Sequence, residues 1–276
     1  MAQGHWQAQA GCVTLNAVFQ QRNLGTDNFE DMNRTANKYL SRKDIPRRER
    51  LILALDVPSP HVAKKLVTRL GNSVIFYKLG LQLFMADGYF ELVGWLRRRK
   101  KKVFVDLKFF DVPETVKNAV KQLRRRHATF ASVHGNDEML QAAISEKNGI
   151  KILAVTVLTS LDESDMKALG FRRNIKSVVE SRARRALDLG CDGLISSGIE
   201  APALREKFGD KFLIVTPGIR PGTNRTIDDQ KRTVDVEQAF RNGADYIVVG
   251  RPILNERDPK VAADKIQARI ATLFKK

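Results

Sequence analysis

Residues Val103–Val116 read VFVDLKFFDVPETV. The first half alternates as a strand does, with Phe104, Asp106 and Lys108 on one face and Val103, Val105 and Leu107 on the other. A strand with this ending sets a carboxylate and an ammonium side by side. Asp111 follows where the strand should have ended, and Val112-Pro113 then opens a helix, because proline suits a first helical turn. Two carboxylates bracketing one lysine fit a salt-bridged strand end on a solvated surface as well as they fit a charged site. The rest of the chain has to decide.

Outward from this stretch, short β-branched runs alternate with amphipathic ones. The strand candidates are LILALDV (51–57), VIFYKLG (74–80), VFVDLK (103–108), TFASVHG (129–135), KILAVTVL (151–158), DGLISS (192–197), FLIVTPG (212–218) and YIVVG (246–250). Between them apolar residues recur at helical spacing, as in Val62, Leu66, Leu70 and Val116, Val120, Leu123. Strand–helix alternation implies parallel strands. Eight such units predict an α/β fold of the (β/α)8 TIM-barrel type, a single catalytic domain over residues 46–276. An open doubly wound sheet is the runner-up; no G-x-G-x-x-G follows the first strand to support its dinucleotide-binding form. Barrel enzymes place their chemistry where strands end. Polar or special residues stand at those ends in every unit: Asp56, Lys78, Asp106 with Lys108, then His134 and Thr159. Ser196 with Ser197, Pro217 with Gly218, and Gly250 with Arg251 complete the ring.

Composition narrows the classes. No apolar run approaches the ~18 residues a membrane helix needs. Cys12 and Cys191 form no disulfide or metal pattern, which fits a reducing cytosol and a cytoplasmic protein. Four histidines, none at ligand spacing, argue against a zinc site. The net charge of +17 points to an anionic substrate or a polyanionic partner. The basic runs Arg97–Lys102 and Arg124–Arg126 fall at helix ends, on the rim opposite the chemistry, and are read as a solvated rim matched to the helix dipoles. No aromatic platform interleaves them, so sequence-specific nucleic-acid readout is not expected. Residues 1–45 lack periodicity and read as a mostly disordered N-terminal extension, a cloning remnant or an overextended start. Asp27, Glu30 and Asp31 argue against a transit peptide there.

Phosphate sites in such barrels use the loops after the seventh and eighth strands. The seventh loop here is long, TPGIRPGTNRTIDDQKR at 216–232. Gly218 and Gly222 permit close backbone approach, Arg220 and Arg225 bring charge, and Gln230 is a neutral donor. The eighth strand ends in Gly250-Arg251-Pro252, an amide beside a guanidinium.

LALDVPS, YKLGLQLF, DLKFFDVPETV, VTVLTS, TPGIRP, DDQKR and GRPI, in that order, resemble the motifs of the bacterial-type orotidine 5′-phosphate decarboxylase family. The resemblance covers residues 51 to about 270. It implies conversion of orotidine 5′-monophosphate to uridine 5′-monophosphate and CO₂ in pyrimidine biosynthesis, with no cofactor and no metal. By the same resemblance Asp56 and Lys78 hold the ribose hydroxyls. Asp106 and Lys108 form the charged pair beneath the pyrimidine, with Lys108 as proton donor and Lys78 completing the catalytic set. Asp111 and Thr115 reach the neighbouring site of a homodimer. Thr159 reads the pyrimidine, and Pro217, Arg220, Gln230, Gly250 and Arg251 line the phosphate end, with Arg220 and Arg225 both open as the gripping donor. Phe110, Glu114, Gly135 and the SSGIE stretch depart from the usual pattern. The alternative is a Mg-dependent sugar-phosphate decarboxylase or aldolase of the sister families, which share D-x-K-x-x-D. A basic RNA- or membrane-surface-binding protein is the reading from another class.

Overall fold

Eight parallel strands close on one another in sequence order. The computed structural model describes residues 37–134, 136–220 and 232–275. The strands are β1 Leu51–Ala54, β2 Phe76–Leu79, β3 Lys102–Phe109, β4 Phe130–His134, β5 Lys151–Val155, β6 Gly193–Ile195, β7 Leu213–Thr216 and β8 Tyr246–Val249. Each pairs with the next, and β8 returns to β1 through Leu51↔Ile247 and Ile52↔Val248. All eight predicted strands are present, seven of them shorter at the C-terminal end than their apolar runs, because the last residues leave the ladder to form the mouth.

Alternation along each strand sorts the core into two. Val103, Val105, Leu51, Leu53 and their equivalents pack outward under the helices. Ile52, Phe76, Phe104, Phe130, Leu213 and Tyr246 belong to the interior cluster. Phe130 sits at its centre, with ring centroids 5.0 Å from Phe76 and 5.2 Å from Tyr246. These rings fill the barrel, so it is a packed core rather than a pore. Two residues further along the same inward rows stand Lys78, Asp106 and Ser132, and the period of two thereby lifts polar side chains onto a floor of aromatic rings.

The helices follow their local signals. Helix Pro60–Leu70 starts on Ser59, whose hydroxyl accepts from the Val62 amide, with Pro60 at the first position. Helix Pro113–Arg125 buries Val116, Val120 and Leu123 as predicted. In the first helix the apolar face is turned by one residue from the expected row. Ala63, Val67 and Leu70 are buried while Val62 is 39% exposed. The small Ala63 lets the helix approach the sheet, and the larger Val62 is left outside.

The basic run Arg97–Lys102 is only partly the solvated rim expected of it. Lys101 is buried, and its ammonium donates to the carbonyls of Gly71 (2.5 Å) and Val74 (3.1 Å). Lys102 pairs with Glu49. Arg97–Lys100 are exposed.

Residues 1–36 of the expected extension lie outside the described residues. Lys38–Lys276 forms one compact unit, so the end of the expected extension, residues 38–45, belongs to the barrel. Ser41 and Lys43 both donate to Asp245, and Ile45 packs against the interior cluster. Asp245, fully buried just before β8, also accepts from Arg205 (2.7 Å) and the Ile214 amide (2.9 Å). Arg205 in turn donates to the carbonyls of Gly243 and Phe212. Arg205→Ala is expected to cost about 3–5 kcal/mol, because it strips the main charge partner from a buried carboxylate. A denaturant midpoint compared with wild type measures this.

Candidate active site

The mouth of the barrel holds a cavity of about 420 Å³. Asp56, Lys78, Asp106 and Lys108 line one part of it, from the ends of the first three strands. Thr159, Pro217 and Arg220 line another, and Gly250 and Arg251 close the ring at the end of β8. Nine of the predicted site residues therefore converge, although they span positions 56 to 251 of the chain.

The centre is a chain of alternating charge. Lys108 Nζ lies 3.0 Å from Asp106 Oδ2, and Lys78 Nζ lies 3.3 Å from the same oxygen. Lys78 Nζ is also 3.6 Å from Asp56 Oδ1. Burial alone pushes the Asp106 carboxyl up, but the ammoniums of Lys78 and Lys108 and the Ser132 hydroxyl outweigh it. The net effect holds Asp106 below the usual carboxylate range, and so ionised. Lys78 shows the mirror balance. Burial disfavours its charge, Asp106 and Asp56 favour it more, and its pKa rises. A buried carboxylate between two ammoniums is costly as architecture. It is useful as a fixed field aimed into the cavity.

Lys108 is held in an unusual way. Its φ of 48° lies in the left-handed region, which costs a side-chain-bearing residue roughly 1–2 kcal/mol. The β3–β4 register shifts between Val105 and Phe109. This bulge re-aims the end of the strand, as bulges beside sites commonly do. Ser132, which the sequence reading passed over, accepts the Lys108 amide at 2.9 Å and donates to Asp106 Oδ1 at 2.8 Å. Its only sequence signal is a small polar residue on the inward row of TFASVHG.

Arg232 was passed over as well. It donates to the Leu158 carbonyl at 2.8 Å, beside Thr159, and pairs with the part-buried Glu200. It thus ties the returning end of the seventh loop to the segment that follows β5. Gly222, Arg225 and Gln230 lie outside the described residues. Arg220 is placed by its amide on the Val234 carbonyl at 2.9 Å. His134, one of the strand-end residues, meets Phe110 edge-on at 4.9 Å and does not line this cavity, and burial followed by the charge of Arg182 lowers its pKa.

Asp111 and Thr115 do not join the cluster of their own chain. Asp111 is exposed and makes no ion pair with Lys108; its carboxylate accepts the Val112 amide at 2.7 Å. Thr115 is exposed on the first turn of the following helix.

Fold and site together define an enzyme of the parallel-barrel class, with a lysine–aspartate–lysine cluster at the C-terminal ends of its strands. The chain belongs to the orotidine 5′-phosphate decarboxylase / HUMPS family, whose model matches residues 49–266. It is 58% identical over 236 residues to the orotidine 5′-phosphate decarboxylase of Methylococcus capsulatus, covering 86% of this chain and 98% of that one. It is 50% identical to that of Xanthomonas axonopodis pv. citri, covering 84% of this chain and 96% of the relative. The crystal structure of orotidine 5′-phosphate decarboxylase from Lactobacillus acidophilus superposes with a TM-score of 0.72 at 33% identity, over 80% of this chain and 99% of that one.

Proposed function

We propose that this protein removes the carboxyl group of orotidine 5′-monophosphate, releasing CO₂ and uridine 5′-monophosphate, a step of pyrimidine biosynthesis. The observation that carries the reading is the shared Asp106 oxygen, 3.0 Å from one ammonium and 3.3 Å from another, at the floor of a cavity rimmed by Arg220 and Arg251.

Loss of CO₂ breaks a carbon–carbon bond and leaves the electron pair in the plane of the ring, where no π system can take it. The site must stabilise that localised charge directly. Lys108 supplies an ammonium for this and then transfers a proton from Nζ to the ring carbon. It regains the proton from solvent after product leaves. Asp106 and Lys78 keep the field in place without rearrangement. Asp56 and Lys78 take the ribose hydroxyls and Thr159 the pyrimidine edge. Arg251, the Gly250 amide, Arg220 and Pro217 form the phosphate end, with Gln230 as a further donor. Phosphate binding far from the reacting carbon lowers the barrier by paying for orientation there.

Asp111 and Thr115 act in the site of a second copy, in a homodimer. The exposed, unpaired Asp111 supports this, as do Phe110 (66% exposed) and Val112 (63% exposed), apolar side chains on either side of it. No described helix is long and apolar enough to cross a membrane, and the protein is read as cytoplasmic.

The Mg-dependent alternative would need carboxylates open to a cation. Asp106, the central carboxylate of that motif, is already taken by two ammoniums. The deciding experiment is a spectrophotometric assay with orotidine 5′-monophosphate, with and without EDTA. Turnover unchanged by the chelator is expected. Absence of turnover, or its loss in EDTA, would overturn the cofactor-free reading.

A further inference from the structure

We infer that Ser132 is a positioning residue for this decarboxylation, fixing the Asp106 carboxylate and the backbone of Lys108 through one hydroxyl. The inference rests on the reading under Proposed function.

Between the pairs Val105↔Ala131 and Phe109↔Val133, β3 spends more residues than β4. A strand with surplus residues takes backbone groups out of its ladder. One of these is the Lys108 amide, and Ser132 Oγ accepts it at 2.9 Å. That contact secures a residue whose φ of 48° its own side chain disfavours. A serine hydroxyl has a single proton to give. Here it goes to Asp106 Oδ1 at 2.8 Å. Oδ1 is thereby occupied, and Oδ2 is left facing Lys108 and Lys78 at 3.0 and 3.3 Å. Ser132 is fully buried, so no bulk water competes for either bond.

The consequence is geometric. One hydroxyl sets the rotation of the carboxylate, and the same hydroxyl sets the turn from which the Lys108 side chain leaves the strand. Without it the carboxylate can swing and the turn can relax, and the ammonium loses its aim. The charged and titratable groups facing Asp106 are Lys78 from β2, Lys108 from its own strand and, more remotely, Asp56 after β1 and the Tyr89 phenol of helix Tyr89–Arg98. Removing the Ser132 donor withdraws a bond that favours the ionised carboxylate, so the Asp106 pKa rises.

The test is Ser132→Ala in the full chain, measured for kcat, KM, the pH dependence of kcat and the thermal midpoint beside wild type. We expect kcat to fall about 10- to 100-fold, the size of effect that small misplacements at a reacting centre produce. KM should stay within about threefold, because ribose and phosphate contacts are untouched. The acid limb of kcat should move to higher pH. Unchanged kcat and acid limb in an active background would overturn the role of Ser132 alone. So would a loss of kcat that comes with a lowered midpoint and an unmoved acid limb, the mark of a structural role. A wild-type protein without turnover would overturn this inference together with the proposed function.

Discussion

Lys108→Ala is expected to lower kcat by about 10⁴-fold or more, since in the proposed mechanism it removes both the cation facing the carbanion and the proton that quenches it. The two losses fall on one atom, Lys108 Nζ, which no neighbour can replace. Lys78 holds the same Asp106 oxygen at 3.3 Å and is committed to Asp56 on its other side. The fold should survive the change. Asp106 keeps one ammonium and the Ser132 hydroxyl, so no buried charge is orphaned. Alanine meets about the same penalty as lysine at a φ of 48°. Binding of uridine 5′-monophosphate should stay within about tenfold, since the proposed phosphate contacts lie away from Lys108. Single-turnover kinetics and product titration check both halves. A variant that turns over near the wild-type rate would remove Lys108 from the chemistry.

Mixing two inactive variants is expected to restore activity. Asp111→Ala alone should lose about 10³-fold, the scale of one oriented charge at a reacting centre, and Lys108→Ala loses more. In the proposed homodimer, equal exchange of subunits leaves half of the dimers mixed. Each mixed dimer holds one site with Lys108 from one chain and Asp111 from the other. Recovery to about one quarter of wild type follows from this count. It is expected because Asp111 is exposed and makes no ion pair or hydrogen bond with the Lys108 of its own chain. Were Asp111 to serve its own subunit, every site in the mixture would lack one member and nothing would recover. Absence of recovery after confirmed exchange therefore sinks the shared site.

Much of this site was legible in one dimension. The row Phe104–Asp106 was read from a period of two, and the same period, once the strands are in place, accounts for Phe76–Lys78 and Phe130–Ser132. The same period carries aromatic residues into the barrel and polar ones to its mouth. Helix Pro113–Arg125 was legible for a similar reason, with proline at its start and valines at helical spacing. Helix Pro60–Leu70 was legible as a helix but not in facing. Val62 and Ala63 are both apolar, and only the closeness of the sheet chooses the smaller one. The run Arg97–Lys102 misled because charge is a poor guide when carbonyls left at element ends can satisfy an ammonium, as Gly71 and Val74 do for Lys101.

The sequence by itself determined the eight strands, their parallel closure in chain order and the shared face of Asp106 and Lys108, since each follows from short-range periodicity in an apolar ladder. Only the tertiary structure decided the register slip in β3, the left-handed backbone at Lys108, the hydroxyl of Ser132 beneath Asp106 and the outward turn of Asp111. Periodicity says which face of a strand a residue takes. How far one strand slides along the next, and which distant donor then meets a freed amide, depends on atoms that no local pattern contains.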